Sequence, residues 1–226
     1  MKFLATSVLF FGIASGTQAA VLETFDSGVE TPDVLGGYFM KDFPATGTTT
    51  GTTSTLSSPI SGSLEFIDRD GNPEEMVRST ADNTDWWVNS EDFDYDVFLT
   101  GESLITILLP ENTRAFSFNV GANSTSTVDN AWLSATESSG SGVSVTTFNV
   151  NRTNTPGFGI YAGYRGDCSP TSSTLTSITI DPVFWGFGNF SISQTDCSTV
   201  PESPSLTLLL IGLLGLFGFG FARRKN

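Results

Sequence analysis

The sequence predicts an all-β domain, an antiparallel two-sheet sandwich of jelly-roll type. Residues 21–199 are rich in Thr, Ser, Gly, Val and Phe, and no long window has apolar residues at helical spacing. Short runs of strand-forming residues recur there instead, each bounded by Gly, Asn, Asp or Pro. A dozen such runs within one domain of this length are typical of two antiparallel sheets packed face to face.

The clearest strand signal is strict alternation of apolar and polar residues. In Phe116–Val120 the apolar side chains point to one face, and Ser117 and Asn119 point to the other. The complete set of predicted strands is Val21–Phe25, Gly37–Phe43, Ser63–Asp68, Glu75–Ser79, Val97–Thr100, Ser103–Leu109, Ala115–Val120, Ala131–Thr136, Val143–Val150, Gly159–Tyr164, Leu175–Ile180 and Phe187–Ser193.

One segment early in the domain is of low complexity. Thr46–Ser58 consists almost entirely of Thr, Ser and Gly, which predicts a flexible loop or a loosely held strand. Predicted strands flank it on both sides, so it does not read as a linker between two domains.

A second segment resembles a metal-binding loop at its start. Asp68–Asn72 begins like an EF-hand calcium loop, but Pro73 and Ser79 stand where that loop needs Gly and Glu. The more economical interpretation is a hairpin turn at Asp70-Gly71 between the predicted strands on either side. We therefore expect a turn here rather than a calcium site.

The amino-terminal segment, residues 1–19, has the features of a secretory signal peptide. Lys2 supplies a positive charge, Phe3–Ala14 is apolar, and Thr17 and Ala19 are small residues at the positions that precede a cleavage site. We expect cleavage after Ala19 and export of the domain that follows, residues 20–199.

The carboxyl-terminal segment, residues 200–226, predicts a membrane helix. Leu206–Ala222 is a run of 17 residues without charge or proline, and as a helix it would extend about 26 Å. Arg223, Arg224 and Lys225 follow it directly, and such basic clusters stay in the cytoplasm. Both ends of the sequence therefore predict that the intervening domain is extracytoplasmic and anchored in the inner membrane.

The order of a Pro-Glu motif, an apolar helix and a basic cluster resembles a PEP-CTERM sorting signal, the tag of exosortase substrates in Gram-negative bacteria. The motif falls on Val200, Pro201 and Glu202, although Ser203 takes the usual place of a proline, which comes one residue later. The resemblance implies transient anchoring in the inner membrane and cleavage near the motif by a membrane-embedded cysteine protease, the exosortase. The protein would then be released or attached at the cell surface. A plain single-pass anchor is the alternative.

A second, looser resemblance concerns the domain itself. Its carboxyl-terminal half is similar to the β-sandwich ectodomains that precede PEP-CTERM signals. The segments that carry this resemblance are Ser117–Gly121, Gly157–Tyr161, Ser177–Asp181 and Phe187–Ser193. It implies the fold and no particular activity.

The charge and residue counts exclude several classes of function. Residues 20–204 hold six cations and all 24 acidic residues, so the domain repels nucleic acid and anionic lipid headgroups. There is no histidine, which removes Ser-His-Asp catalysis and the commonest zinc ligand. Cys168 and Cys197 are the only cysteines, and in an exported protein they are expected to form a disulfide that fastens a last β-hairpin.

The most acidic stretch contains the residues that point to a binding function. Trp86 and Trp87 precede Asp92, Asp94 and Asp96, whose carboxylates would share one face of an extended chain and suit Ca²⁺. A tryptophan beside carboxylates also suits a sugar ring. The alternative is that one tryptophan belongs to the core and the acids form a solvated strand edge.

These patterns predict a non-enzymatic cell-surface or extracellular-matrix protein that is sorted and processed by exosortase. The alternative is a carbohydrate-binding module for extracellular polysaccharide, with Ca²⁺ as its one candidate cofactor. A secreted carboxylate hydrolase is a third reading, because paired carboxylates survive the absence of histidine, but nothing in the sequence singles out a pair facing across a cleft.

Overall fold

The computed structural model describes residues 20–25, 31–45, 51–80, 96–122, 126–138, 143–151, 154–162, 173–181 and 185–195. Within these ranges the regular structure is entirely β, and no helix there is long and apolar enough to cross a bilayer. The predicted signal peptide and sorting tail lie outside them. The strands are β1 (Val21–Phe25), β2 (Val34–Leu35), β3 (Tyr38–Phe39), β4 (Lys41–Asp42), β5 (Gly51–Thr53), β6 (Thr55–Ser57), β7 (Ser63–Ile67), β8 (Met76–Thr80), β9 (Asp96–Thr100), β10 (Ile105–Leu108), β11 (Ala115–Ala122), β12 (Val128–Glu137), β13 (Val143–Val150), β14 (Gly157–Tyr161), β15 (Leu175–Asp181) and β16 (Trp185–Ser193).

The strands form two large sheets and a small hairpin. The eight-stranded sheet has the order β1-β14-β11-β16-β9-β8-β5, with β4 pairing on β16. The six-stranded sheet has the order β13-β12-β15-β10-β7-β6, and β2 pairs with β3 alone. All of these pairs are antiparallel. From β9 to β16 the chain passes repeatedly between the sheets, which gives the predicted all-β sandwich.

Most predicted strands are present with their ends moved by a few residues. The predicted strand Gly37–Phe43 is divided into β3 and β4, which pair with different partners. The low-complexity segment Thr46–Ser58 contains two short strands, β5 and β6, one in each sheet. Of the two alternatives, the described residues of this segment therefore form strand and not loop.

The predicted hairpin of β15 and β16 is wrong, and the hairpin at Asp70-Gly71 forms only next to the turn. There Ile67 and Pro73 make an isolated antiparallel bridge, and the N–H of Glu74 donates to the carbonyl oxygen of Phe66 at 2.9 Å. The strands before and after the Asp70-Gly71 turn, β7 and β8, lie in opposite sheets, and so do β15 and β16. The reason is that alternation shows which face of a strand is apolar but not which sheet the strand joins. A strand above the core and a strand below it both present apolar residues to it, so the two arrangements have the same sequence pattern.

The core between the sheets is rich in phenylalanine. Phe190 lies at its centre, and its ring centroid is 5.7 Å from those of Phe98 and Phe116 and 5.9 Å from that of Phe43. The six-stranded sheet contributes Phe66, which is 6.4 Å from Phe190. Such rings bury large apolar areas and add favourable edge and offset contacts. The other fully buried side chains include Leu64, Ile105, Ile107, Phe118, Leu133, Phe158, Ile178, Ile180, Phe187 and Ile192.

The eight-stranded sheet is covered on its outer face as well. All residues of β11 and β14 are buried, including the β11 residues Ser117 and Asn119, which face away from the core. Leu35 and Tyr38 of the β2–β3 hairpin form a second apolar cluster with Ala115 and Tyr161 on that outer face. The hairpin therefore acts as a third layer over part of the sheet.

We expect Gly36→Ala to destabilise the protein more than Gly71→Ala does. Both glycines have positive φ, +59° and +84°, so each substitution costs about 1–2 kcal/mol of backbone strain. A Cβ at Gly36 would also lie 2.5 Å from the Tyr161 ring, whereas one at Gly71 meets nothing within 4 Å. Chemical denaturation of both variants checks this. Equal losses of unfolding free energy in the two variants would show that the β2–β3 hairpin does not pack on Tyr161.

Candidate functional site

Most of the residues that the sequence analysis singled out lie outside the described ranges. These are the tryptophans Trp86 and Trp87, the carboxylates Asp92 and Asp94, the cysteines Cys168 and Cys197, the motif Val200, Pro201 and Glu202, and the basic residues Arg223, Arg224 and Lys225. Their assignments stay predictions. Asp96 and the Asp68–Asn72 turn are described, and the structure also brings together groups that the sequence analysis did not connect.

Asp96 begins β9 and faces the interior. It is 6% exposed, and its Oδ2 is 3.9 Å from Nε of Arg78, whose guanidinium carbon lies 5.9 Å from the centroid of the Phe98 ring. The adjacent cavity, lined in part by Phe43 and Leu56, has a volume of about 10 Å³, room for about one water molecule. A sugar ring does not fit there, and the Asp96 carboxylate is directed at a cation of the protein itself.

The Asp68–Asn72 segment is a turn, as predicted. Oδ1 of Asp68 accepts hydrogen bonds from the backbone N–H groups of Asp70 at 2.9 Å and Asn72 at 2.8 Å. The hydrogen bonds with Asn72 are the main cause that lowers the pKa of Asp68. Because this carboxylate is engaged within the turn, it serves the local backbone. Among the described residues no group of three or more Asp, Glu, Cys or His side chains is arranged to hold a metal ion.

Arg114 joins three chain segments at one end of the sandwich. Its backbone N–H donates to the carbonyl oxygen of Ser193 at 2.7 Å, and its carbonyl oxygen accepts from the N–H of Ala162 at 2.8 Å. Its side-chain Nη1 donates to the carbonyl oxygen of Ser173. Ser173 Oγ in turn donates to Oε2 of Glu137 at 2.5 Å, a carboxylate that is 2% exposed. The ends of β14 and β16 and the start of β15 therefore meet at this point.

The outer face of the six-stranded sheet carries the third arrangement. Trp132 of β12 is partly exposed, and its neighbours Ala131 and Leu133 are buried on the core side. The Trp132 indole N–H donates to Oδ2 of Asp181 on β15 at 2.8 Å. A hydrogen bond to an ionised carboxylate is short and strong, so it restrains the position of the indole ring on the outer face of the sheet.

Hydroxyl side chains surround this pair. Ser134 and Thr136 follow Trp132 on the same face of β12, and they lie opposite Thr179 and Ser177 of β15. On the other side, Thr147 of β13 lies opposite Trp132. We call this set the Trp132 face: Trp132, Ser134, Thr136, Thr147, Ser177, Thr179 and Asp181. It combines a flat apolar ring with a carboxylate and several hydroxyl groups.

The Trp132 face is not recognisable from the order of residues in the sequence. Trp86 and Trp87 stand beside acidic residues in the sequence, whereas Trp132 and its carboxylate partner are 49 residues apart. The register of β12 on β15 brings the two together, and that register is not readable from either strand alone. The available signal was alternation in Ala131–Thr136, which places the tryptophan on the face opposite the three apolar residues of that strand.

Comparisons with known proteins give weak structural likenesses. No family model matches the sequence, and no curated protein matches it. A CBM61 carbohydrate-binding module solved with β-1,4-galactotriose aligns over 68% of this chain and 92% of its own at 8% identity, with a TM-score of 0.20. The C-terminal CBM6 of a marine laminarinase from Zobellia galactanivorans aligns over 66% and 98%, at 10% identity and a TM-score of 0.12. An isomalto-dextranase of Arthrobacter globiformis complexed with panose aligns over 76% and 35%, at 11% identity and a TM-score of 0.12. At such TM-scores none of the three establishes the fold or the ligand of this chain.

Proposed function

We propose that this chain is an exported, non-enzymatic surface protein whose tail is recognised and cut by exosortase. The observation that carries the proposal is the order of Val200-Pro201-Glu202, the uncharged run Leu206–Ala222 and the basic cluster that follows it. An apolar helix with cations on one side places those cations in the cytoplasm. The acidic domain in front of the motif is then the cargo delivered to the outside of the inner membrane.

The arrangement of the last strand supports this order of events. β16 ends at Ser193, before the motif, and it lies inside the eight-stranded sheet between β11 on one side and β9 and β4 on the other. A cut at Val200–Glu202 falls after the last strand of the described residues, so every strand described here stays in the processed protein. From β9 to β16 the chain changes sheet at every step except that from β12 to β13, and the resulting orders β14-β11-β16-β9 and β13-β12-β15-β10 support the jelly-roll version of the sandwich.

We expect mass spectrometry of the protein from a host with exosortase to find Ala20 at the amino terminus and no Arg223–Lys225. Replacing both Pro201 and Glu202 with alanine should leave most molecules uncut, because the motif that the protease recognises is then absent. Asp196→Ala is the matched control, since it removes a nearby carboxylate outside the motif, and it should be processed normally. A tail retained by the wild-type protein would favour the plain anchor over the sorting signal.

A second function, carbohydrate binding by the exported domain, is favoured by the Trp132 face. An aromatic ring restrained by a carboxylate and bordered by hydroxyl groups matches a sugar, which offers C–H groups to the ring and hydroxyl groups to the polar side chains. The sequence pattern predicts the same function for Trp86 and Trp87, which lie outside the described residues. The two assignments are separable by substitution.

A further inference from the structure

We propose that the Trp132 face binds an uncharged polysaccharide, with the Trp132 ring as the platform on which a pyranose ring stacks. The inference rests on the carbohydrate-binding function proposed above. It adds the site, the residues and the charge class of the ligand. It does not depend on how the protein is sorted.

The Trp132 ring is held in place by the protein's own Asp181 before any ligand binds. Trp132 lies directly opposite Asp181 in the antiparallel register, and the 2.8 Å hydrogen bond from its indole N–H fixes the edge of the ring against the neighbouring strand. A preorganised side chain loses little conformational entropy when a ligand covers it. A tryptophan that belonged to the core would instead be buried among apolar residues, and Trp132 is part of neither apolar cluster of the described structure.

The hydroxyl-bearing surface beside Trp132 extends across four strands of the sheet. The hydroxyl row continues from β15 onto β10, where Thr106 lies opposite Thr179 and the two hydroxyl groups are 3.0 Å apart. Thr147 extends it in the other direction onto β13. Four adjacent strands span roughly 14 Å at their usual separation, more than the width of a single sugar ring. The face therefore suits a chain of sugars better than a monosaccharide.

The charge of the six-stranded sheet indicates which class of glycan would bind to it. Glu137 is buried, and the other charged side chains on the six strands of this sheet, Glu65, Asp129 and Asp181, are all carboxylates. The described parts of those strands contain no lysine or arginine. Such a surface repels uronic acids, sulfated glycans and phosphate. Carboxylates accept hydrogen bonds from sugar hydroxyl groups. An uncharged polysaccharide is the glycan class that this combination favours.

The test is binding of the purified full chain to a panel of polysaccharides, measured by affinity electrophoresis and calorimetry. The neutral probes are hydroxyethyl cellulose, laminarin, β-1,4-galactan and dextran, and the anionic probe is alginate. We expect at least one neutral probe to bind and alginate not to bind. We expect Trp132→Ala to weaken that binding about tenfold or more, since it removes the stacking surface.

Three further variants make the result specific. Trp132→Phe keeps an aromatic ring and should retain more affinity than the alanine variant, which also keeps the test valid if the alanine variant does not fold. Asp181→Asn should weaken binding to an intermediate degree, because it replaces the charged acceptor for the indole N–H. Phe39→Ala, which removes a ring that is 59% exposed on the β2–β3 hairpin, is the matched control and should bind like the wild type.

The outcomes separate the site from the function. If a neutral polysaccharide binds equally to the wild type, Trp132→Ala and Trp132→Phe, the proposed site is wrong while carbohydrate binding stands. Preferential binding of alginate would overturn the charge argument. If none of the probes binds the wild type, both the carbohydrate-binding function and this inference fail.

Discussion

Replacing Phe190 with alanine lowers the free energy of unfolding by about 3–5 kcal/mol, the range observed for large aromatic residues removed from cores. The Phe190 ring has neighbours in both sheets, with centroids 5.7 Å away at Phe98 and 6.4 Å away at Phe66. Its side chain is 3% exposed, so its removal leaves a cavity between two sheets that cannot close over it. Urea denaturation measures the loss.

Phe39→Ala is the control for Phe190→Ala. Both changes remove one phenylalanine ring, but the Phe39 side chain is 59% exposed, and surface substitutions usually change stability by less than about 0.5 kcal/mol. A small loss at Phe190, comparable with that at Phe39, would contradict the packing of the two sheets against each other around this ring.

We predict that Cys168 and Cys197 form a disulfide. Reducing the protein, or replacing both cysteines with serine, is then expected to lower the free energy of unfolding by roughly 3.5 kcal/mol, the chain-entropy value for a closed loop of about 30 residues. Cys168 lies in the segment between Ala162 and Ser173, and Cys197 follows shortly after Ser193. Arg114 is hydrogen-bonded to all three of these flanking residues. The two segments therefore leave the described structure at the same end of the sandwich, which is consistent with the predicted pairing.

The two single serine variants supply the control for the disulfide. If the cysteines pair, Cys168→Ser, Cys197→Ser and the double variant lose the same stability, because each breaks the same bond. Thiol counting by mass spectrometry should find no free thiol in the exported wild-type protein. Two free thiols, or an unchanged stability of the double variant, would remove the disulfide from the account.

The positions of the strands were predictable because each has one face on the core. Phe116, Phe118 and Val120 alternate with Ser117 and Asn119, and β11 is found where that pattern occurs. The alternation does not predict that the polar residues on the other face of β11 are buried as well. Ser117 and Ser191 are both fully buried there, with their hydroxyl groups 2.7 Å apart.

The assignment of strands to sheets was not predictable from the pattern. β15 lies where the sequence predicts a strand, but it pairs with β10 and β12 and not with β16. The register of β16 on β11 also shifts between Ser117 and Asn119, beside Asn189, which has a φ of 53°. That shift inserts an extra residue and brings Phe190 to the core side, a local adjustment that composition and spacing do not reveal.

The candidate site was likewise predictable in its residue types but not in its residue positions. Its residue types could be recognised from the sequence, since tryptophan beside a carboxylate suits a sugar. The pairing of Trp132 with Asp181 depends on the register of β12 on β15, whereas reasoning from sequence neighbours points to Trp86 and Trp87, which lie outside the described residues and stay a prediction. The prediction for the tail needs no such register, because length, apolarity and flanking charge predict membrane insertion without any tertiary contact; it stays a prediction, since the tail lies outside the described residues.

The most direct test of the account is the location of a reporter fused after Asn226, in a strain without exosortase so that the tail stays intact. Paired fusions to alkaline phosphatase, which is active only outside the cytoplasm, and to a fluorescent protein that matures in the cytoplasm give opposite readings. The account predicts fluorescence without phosphatase activity, together with protease sensitivity of the β-sandwich from the periplasmic side. Phosphatase activity after Asn226, or a soluble intracellular chain that keeps residues 1–19, would contradict it.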